Sequence, residues 1–207
     1  MKSKNNTFLY LGFIALAFAG LAATSAQAAI DTWQGTAGST DWATDGNWTY
    51  STGSAIASGD SLVFTSANAS PSTTLTNTLA TSFNVAGITF NSGALAYTMT
   101  GNAFNLTGNI TNNSASLQTI NNAMTLTASR VLNATSGQLV LGGNITASQS
   151  LTLNPTNKIT LAGTNTIATT ATGTNTFYAL LVNAGAGGVD ITGSTTVGPG
   201  GATDRNG

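Results

Sequence analysis

Apolar and polar residues alternate in short bursts through the second half of the chain, and most bursts run into a glycine. The pattern reads Tyr97-Thr98-Met99-Thr100-Gly101, Phe104-Asn105-Leu106-Thr107-Gly108, Leu139-Val140-Leu141-Gly142-Gly143, Ile159-Thr160-Leu161-Ala162-Gly163 and Val189-Asp190-Ile191-Thr192-Gly193. Met124-Thr125-Leu126-Thr127-Ala128 and Leu151-Thr152-Leu153-Asn154-Pro155 are looser copies without the glycine. A period of two puts both apolar side chains on one face of a strand and the Thr or Asn on the other. The glycine is expected to bend the chain, because it enters positive φ without steric cost. Each copy therefore predicts a short strand followed by a corner. Many such units, roughly 10 to 30 residues apart, predict stacked coils of strand rather than a compact enzyme domain. Leu106, Leu126, Leu141, Leu153, Leu161 and Ile191 are expected to line the interior. Thr and Asn are expected outside or at corners, in hydrogen-bonded ladders. At roughly 20–25 residues per coil, residues 80–207 would make about six coils.

Upstream of the repeats the pattern changes twice. Residues 1–28 read as a cleaved export signal: Lys2 and Lys4 give a positive start, Phe8 to Ala19 an apolar segment, and Ala26-Gln27-Ala28 small residues where a signal peptidase reads. The cut is placed after Ala28. An N-terminal membrane anchor over Phe8–Ala23 is the alternative, and a lipoprotein is excluded by the absence of Cys. Residues 29–79 hold all three Trp, at Trp33, Trp42 and Trp48, together with Asp31, Asp41 and Asp45. Two readings compete for this stretch. Exposed rings would stack on sugars, making Trp33, Trp42 and Trp48 candidate glycan contacts; buried rings would close the open end of a strand stack. The cap is favoured, because a repeat array needs one. Asp41, Asp45, Gly46 and Asn47 read as a turn rather than a calcium loop, since the ligand spacing is not met and no bidentate Glu follows. Gly59-Asp60-Ser61-Leu62-Val63-Phe64 reads as a turn entering a strand, and Phe83-Asn84-Val85 and Ala86-Gly87-Ile88-Thr89-Phe90 as further strand segments. Residues 198–207 read as loop, with the chain expected to be cut off there from a longer product.

Composition narrows the function classes. Charged residues are 5% of the chain and hydrophobic ones 41%, so Thr, Ser and Asn must carry solubility, and disorder is excluded. Cys, His and Glu are absent. That removes the thiolate nucleophile, the usual general base near neutral pH and the commonest metal ligands, so no cofactor or metal is expected. The basic residues, Lys2, Lys4, Arg130, Lys158 and Arg205, are too few and too scattered to track a phosphate backbone. A polysaccharide-degrading site needs two carboxylates, or a base beside a cation. Before the terminal tail the repeat region holds Asp190 alone, with Arg130 and Lys158 as its cationic helpers.

The order Trp33-Gln34-Gly35, Asp41-Trp42 to Asn47-Trp48, Gly59 to Phe64, Val85 to Phe90 and Leu139 to Ile145 resembles large bacterial proteins with autotransporter-associated β-strand repeats. The resemblance covers nearly all of the chain after residue 28. It implies an all-β fold, a right-handed parallel β-helix or solenoid over residues 80–207 with an N-terminal Trp-rich β cap over residues 29–79. It implies an exported passenger at the cell surface or in the medium, non-enzymatic and adhesin-like. Members end in an outer-membrane β-barrel or a Pro-Glu-Pro sorting segment. Any membrane attachment is thus expected through a C-terminal anchor beyond these residues, and the partner is expected to be a surface or glycan. Edge-to-edge self-association is expected of an uncapped last coil. The Asn-x-Ser/Thr triplets, as at Asn47, Asn105 and Asn144, are assigned no glycan, since the resemblance is bacterial.

Overall fold

The computed structural model describes residues 28–65, 72–168 and 180–198, and the backbone of 202–205. The export segment therefore lies outside the described residues except for Ala28. Among the described residues the chain is all-β, with one 3-10 turn, Asp45–Asn47, and no α-helix. It forms a parallel β-solenoid of about five turns.

Three stacks of short strands run the length of the array. One contains Phe104–Leu106, Met124–Leu126, Ile145–Ala147, Asn165–Ile167 and Thr195–Val197; the second contains Ile110–Asn112, Arg130–Ala134, Leu151–Asn154, Leu180–Asn183 and Ala202–Arg205. The seven-residue strand Asn84–Phe90 joins these two stacks by pairing with Phe104–Leu106 through its start and with Ile110–Asn112 through its end. A separate sheet holds the third stack: Thr74–Asn77, Thr98–Gly101, Gln118–Ile120, Leu139–Leu141, Ile159–Leu161 and Val189–Ile191. Strands of the 29–79 segment thus continue the same stacks, since Asp60–Phe64 lies parallel to Asn84–Phe90 and Thr74–Asn77 parallel to Thr98–Gly101.

Register gives the coil length. Met124 pairs with Phe104 and Ile145, and Leu139 with Gln118 and Ile159, close to the shorter end of the expected range. One coil is longer: Leu151 pairs with Leu180 and Ile159 with Val189. That extra length is one reason for about five turns in place of six.

Burial follows the alternation. Leu106, Leu126, Leu141, Leu153 and Leu161 are all buried in one continuous apolar core that runs from Trp33 to Leu180. Ile191 departs from expectation at 49% exposed. It sits on the outermost strand of its sheet among the described residues, so no neighbouring coil covers it. The tail also differs, because Ala202–Arg205 is a strand paired with Leu180–Asn183 rather than loop. Its residues lack apolar alternation, and only the neighbouring strand's free backbone groups reveal the pairing.

The glycines turn corners for a different reason than positive φ. Among those of the five repeats, only Gly101 has positive φ, at 96°. At Gly143, Gly163 and Gly193 the constraint is the coil beneath. A Cβ added at Gly163 would fall 2.2 Å from the Gly143 carbonyl oxygen, and one at Gly193 would fall 2.1 Å from that of Gly163. The corners stack backbone on backbone, leaving no room for a side chain.

Asn supplies the lateral stitching. On the outer face of the second stack, Asn133 Nδ2 donates to Thr111 Oγ1 at 3.1 Å and Asn154 Nδ2 to Asn133 Oδ1 at 2.7 Å, while Asn183 Nδ2 continues the ladder to Asn154. Inside the corners, Asn122 Nδ2 donates to the carbonyls of Thr100 and Asn102, and Asn112 Nδ2 to those of Ser116 and Gln138. These amides satisfy carbonyls that the turning chain leaves unpaired. Asn154→Ala breaks two outer rungs, and a loss of about 1–2 kcal/mol is expected at the usual worth of one hydrogen bond. Urea unfolding would measure it, and an unchanged midpoint would remove the ladder from the account of stability.

Candidate functional site

The chain's aromatic mass gathers at the first coils. Ile30–Trp33 pairs antiparallel with Trp48–Tyr50 and parallel with Asp60–Phe64, and among the described residues Trp48–Tyr50 pairs with no other strand. Register brings Trp33 opposite both Trp48 and Phe64. Trp33 and Trp48 meet edge to face at 5.0 Å, and Phe64 lies between Trp48 at 5.7 Å and Phe90 at 5.4 Å. Trp42 reaches both Phe64 and Phe104. Trp48 Nε1 donates to the Trp42 carbonyl at 2.8 Å, which ties the loop between them to the ring cluster.

The glycan-contact expectation for Trp33, Trp42 and Trp48 does not fit these positions. Their exposures are 0%, 1% and 5%, so no ring presents a face to a sugar. Packing against Phe64, edge to face for Trp48 and tilted for Trp33 and Trp42, occupies π surfaces that stacking on a sugar would use.

The connecting loop is built as a turn. Asp41 Oδ1 accepts from the Ala43 amide at 2.9 Å and from the Thr78 hydroxyl, and the Tyr50 hydroxyl donates to the Asp45 carbonyl at 3.1 Å. Asn47 is fully buried and holds the loop together, donating to the carbonyls of Ser39 and Asp41 and accepting from the Ala37 amide. Burial and the neighbouring Asp45 push the Tyr50 hydroxyl up to about 12.

Beside the tryptophans lies a pair of carboxyl groups, one in the Trp-rich stretch and one in the turn entering the next strand, that the sequence pattern does not join. Asp31 is 0% exposed and Asp60 7%. Asp60 is well served, accepting from the Ala29 amide at 3.2 Å through Oδ1 and from the Ala57 amide at 2.6 Å through Oδ2. Neither oxygen of Asp31 has a donor. The best hydrogen bond of the nearby Ser51 amide goes to the Ile30 carbonyl at 3.1 Å. Burial first, and the adjacent Asp60 second, push the Asp31 carboxyl up to about 7, against a slight lowering by the Ser51 amide. The signal was phase: Asp31 alternates with Trp33, and Asp60 with Leu62 and Phe64, so both point inward.

The pH consequence has a definite sign while the nitrogen of residue 29 remains an amide. Between about 4 and 7 the folded chain keeps a proton on Asp31 that the unfolded chain releases. The contribution of this group to stability is therefore greatest below the unfolded value, falls as pH rises, and is fully lost above about 7. In a chain carrying residues ahead of Ala29, Asp31→Asn is expected to raise stability at pH 8 by roughly 2–4 kcal/mol and to leave it nearly unchanged at pH 4. Urea titrations at the two pH values would decide this, and an equal effect at both would refute it.

The repeat region's charges are placed apart. Lys158 Nζ meets Asp190 at 2.8 Å across adjacent coils, with both side chains roughly half exposed. Such a pair contributes at most about 1 kcal/mol. Arg130 lies on another stack and donates to the carbonyls of Leu106 and Ser129. Among the described residues no three acidic, Cys or His side chains come together as a metal cage.

This geometry defines a class, an all-β parallel solenoid with an aromatic first coil. Comparison of the chain with protein-family models, curated proteins and solved structures finds no match.

Proposed function

We propose that this chain is an exported structural rod, a non-enzymatic and adhesin-like passenger of the autotransporter-associated β-strand repeat kind, which acts by presenting its outer surface at the cell surface or in the medium. The observation that carries this reading is the outer face of the stacks. Coil after coil offers Thr and Asn in a ladder, half-exposed at Thr111, Asn133 and Asn154 and exposed at Asn183, over a core of Leu and Ile. A hydrogen-bonding surface with few charges suits an extended partner such as a glycan or another solenoid. The tryptophan cluster fits an end cap, since Trp48–Tyr50 turns antiparallel and covers the ring of Trp33. The charged groups support the same reading: Asp190 is tied to Lys158, and Asp31 and Asp60 are buried.

Protease shaving of intact cells that express the whole gene tests the proposal. Peptides from residues 80–198 released from unbroken cells, or recovered from the medium, are expected. Peptides found only after lysis would overturn it.

A further inference from the structure

The buried acid pair lacks one thing, a cation, and the chain has a way to make one at that spot. Ala29 is buried while Ala28 is exposed, and the nitrogen between them is the atom that touches Asp60 Oδ1 at 3.2 Å. Ala29 and Asp31 stand two apart on extended chain, so both face inward beside Asp60. The ionisable groups facing this point are Asp31 on the first strand, Asp60 on the strand parallel to it, and Tyr50 with Asp45 on the antiparallel side. Among the described residues none of the groups facing it is cationic. Two carboxyl groups buried together without a counter-ion, one of them with both oxygens unpartnered, form an incomplete site.

We propose that cleavage between Ala28 and Ala29 completes this site, because the new α-ammonium group of Ala29 is the missing partner of the Asp31–Asp60 pair. The inference rests on the export reading, which places the cut there. A peptidase adds water across the Ala28–Ala29 bond; the leader departs with the Ala28 carboxylate, and the Ala29 amine takes up a proton to become an ammonium. Its nitrogen already lies on Asp60 at 3.2 Å, and the ammonium gains N–H donors beside a strand on which Asp31 also turns inward. A cleft of about 340 Å³ lined by Ala28, Ala29, Ser58 and Asp60 opens beside the bond. Before the cut, the first strand carries buried acid without a counter-charge. After it, the same strand is held by an ion pair, so removal of the leader and locking of the tryptophan end become one event.

The test uses the protein secreted from the full-length gene. Intact mass first locates the amino terminus. The α-amine of the folded protein is then labelled with an amine-reactive ester at pH 7.5, with Lys158 as the one remaining lysine and the urea-unfolded protein as reference. Labelling about tenfold slower in the folded state is expected, because an ion pair holds the α-amine protonated. A second gene inserts Gly-Ser between Ala28 and Ala29, so that the secreted chain has an amide at residue 29 and its amine two residues away. Asp31→Asn is expected to lower the urea midpoint at pH 8 in the native secreted chain and to raise it in the inserted one. A terminus at Ala29 whose amine labels at the unfolded rate, or an Asp31→Asn effect of one sign in both chains, overturns the inference and leaves export standing. A retained leader, or a cut elsewhere, overturns the predicted processing and the inference with it.

Discussion

Leu141→Asp is expected to abolish the fold at neutral pH. Leu141 is fully buried, and register sets it between Ile120 and Leu161 in the coils on either side. A carboxylate there would lie among aliphatic side chains with no cation and no donor. The cost of burying it unpaired, about 4 kcal/mol or more, is comparable to the whole stability of an ordinary domain. In a solenoid the damage spreads to both neighbours, because each coil is held by the coils it touches. The new acid's pKa is raised in the folded state, so its penalty is complete above that raised value and shrinks as pH falls towards 4. Loss of the β-sheet circular dichroism signal at pH 7, with partial recovery near pH 4, is the expected result. Val140→Asp is the control. Val140 points out of the same strand and is half-buried, so a change within about 1 kcal/mol is expected. Equal effects at the two positions would refute the inside–outside assignment.

Gly163→Ala is expected to cost about 3 kcal/mol or more, through a methyl group on a residue that buries no side chain at all. The added carbon would stand 2.2 Å from the Gly143 carbonyl oxygen, 2.5 Å from its carbon and 2.9 Å from the Asn144 nitrogen. All three are backbone atoms, so no rotamer can relieve the contact. The coils would have to part, breaking the ladder that runs from Gln118–Ile120 through Leu139–Leu141 to Ile159–Leu161. Thr164→Ala, at the exposed next position, is expected to change little. A Gly163→Ala protein with an unchanged urea midpoint would show that the corner has slack and refute the steric account of this glycine.

These two predictions also show what could be read from the chain and what could not. All seven copies of the alternating pattern are strands in the structure. Strands outside the alternating pattern include Ile110–Asn112, Gln118–Ile120, Arg130–Ala134, Ile145–Ala147 and Asn165–Ile167. Three of these turn a polar residue inward, at Asn112, Gln118 and Asn165, where apolar alternation would put Leu or Ile. Each such amide pairs with backbone: Gln118 takes the Tyr97 amide and the Leu95 carbonyl, and Asn165 the Ile145 amide and the Gly163 carbonyl. A partner about twenty residues away makes a polar side chain acceptable inside. Periodicity within one strand cannot register it.

The Asp31–Asp60 site has the same origin. Both residues were inward by phase, but Asp31 stands beside Asp60 only because Ile30–Trp33 lies parallel to Asp60–Phe64 in one register. A shift of one residue would turn either carboxyl outward and dissolve the pair. The sequence by itself determined that the chain would be short strands with one apolar face, stacked as a solenoid, because a period of two and the spacing of its repeats are local properties that each segment carries alone. The tertiary structure alone decided which glycines are forced by the coil beneath, which amides belong inside, whether the tryptophans face water, and which two acids meet. Those outcomes depend on what the neighbouring coil places within a few ångströms, and no single strand contains that information.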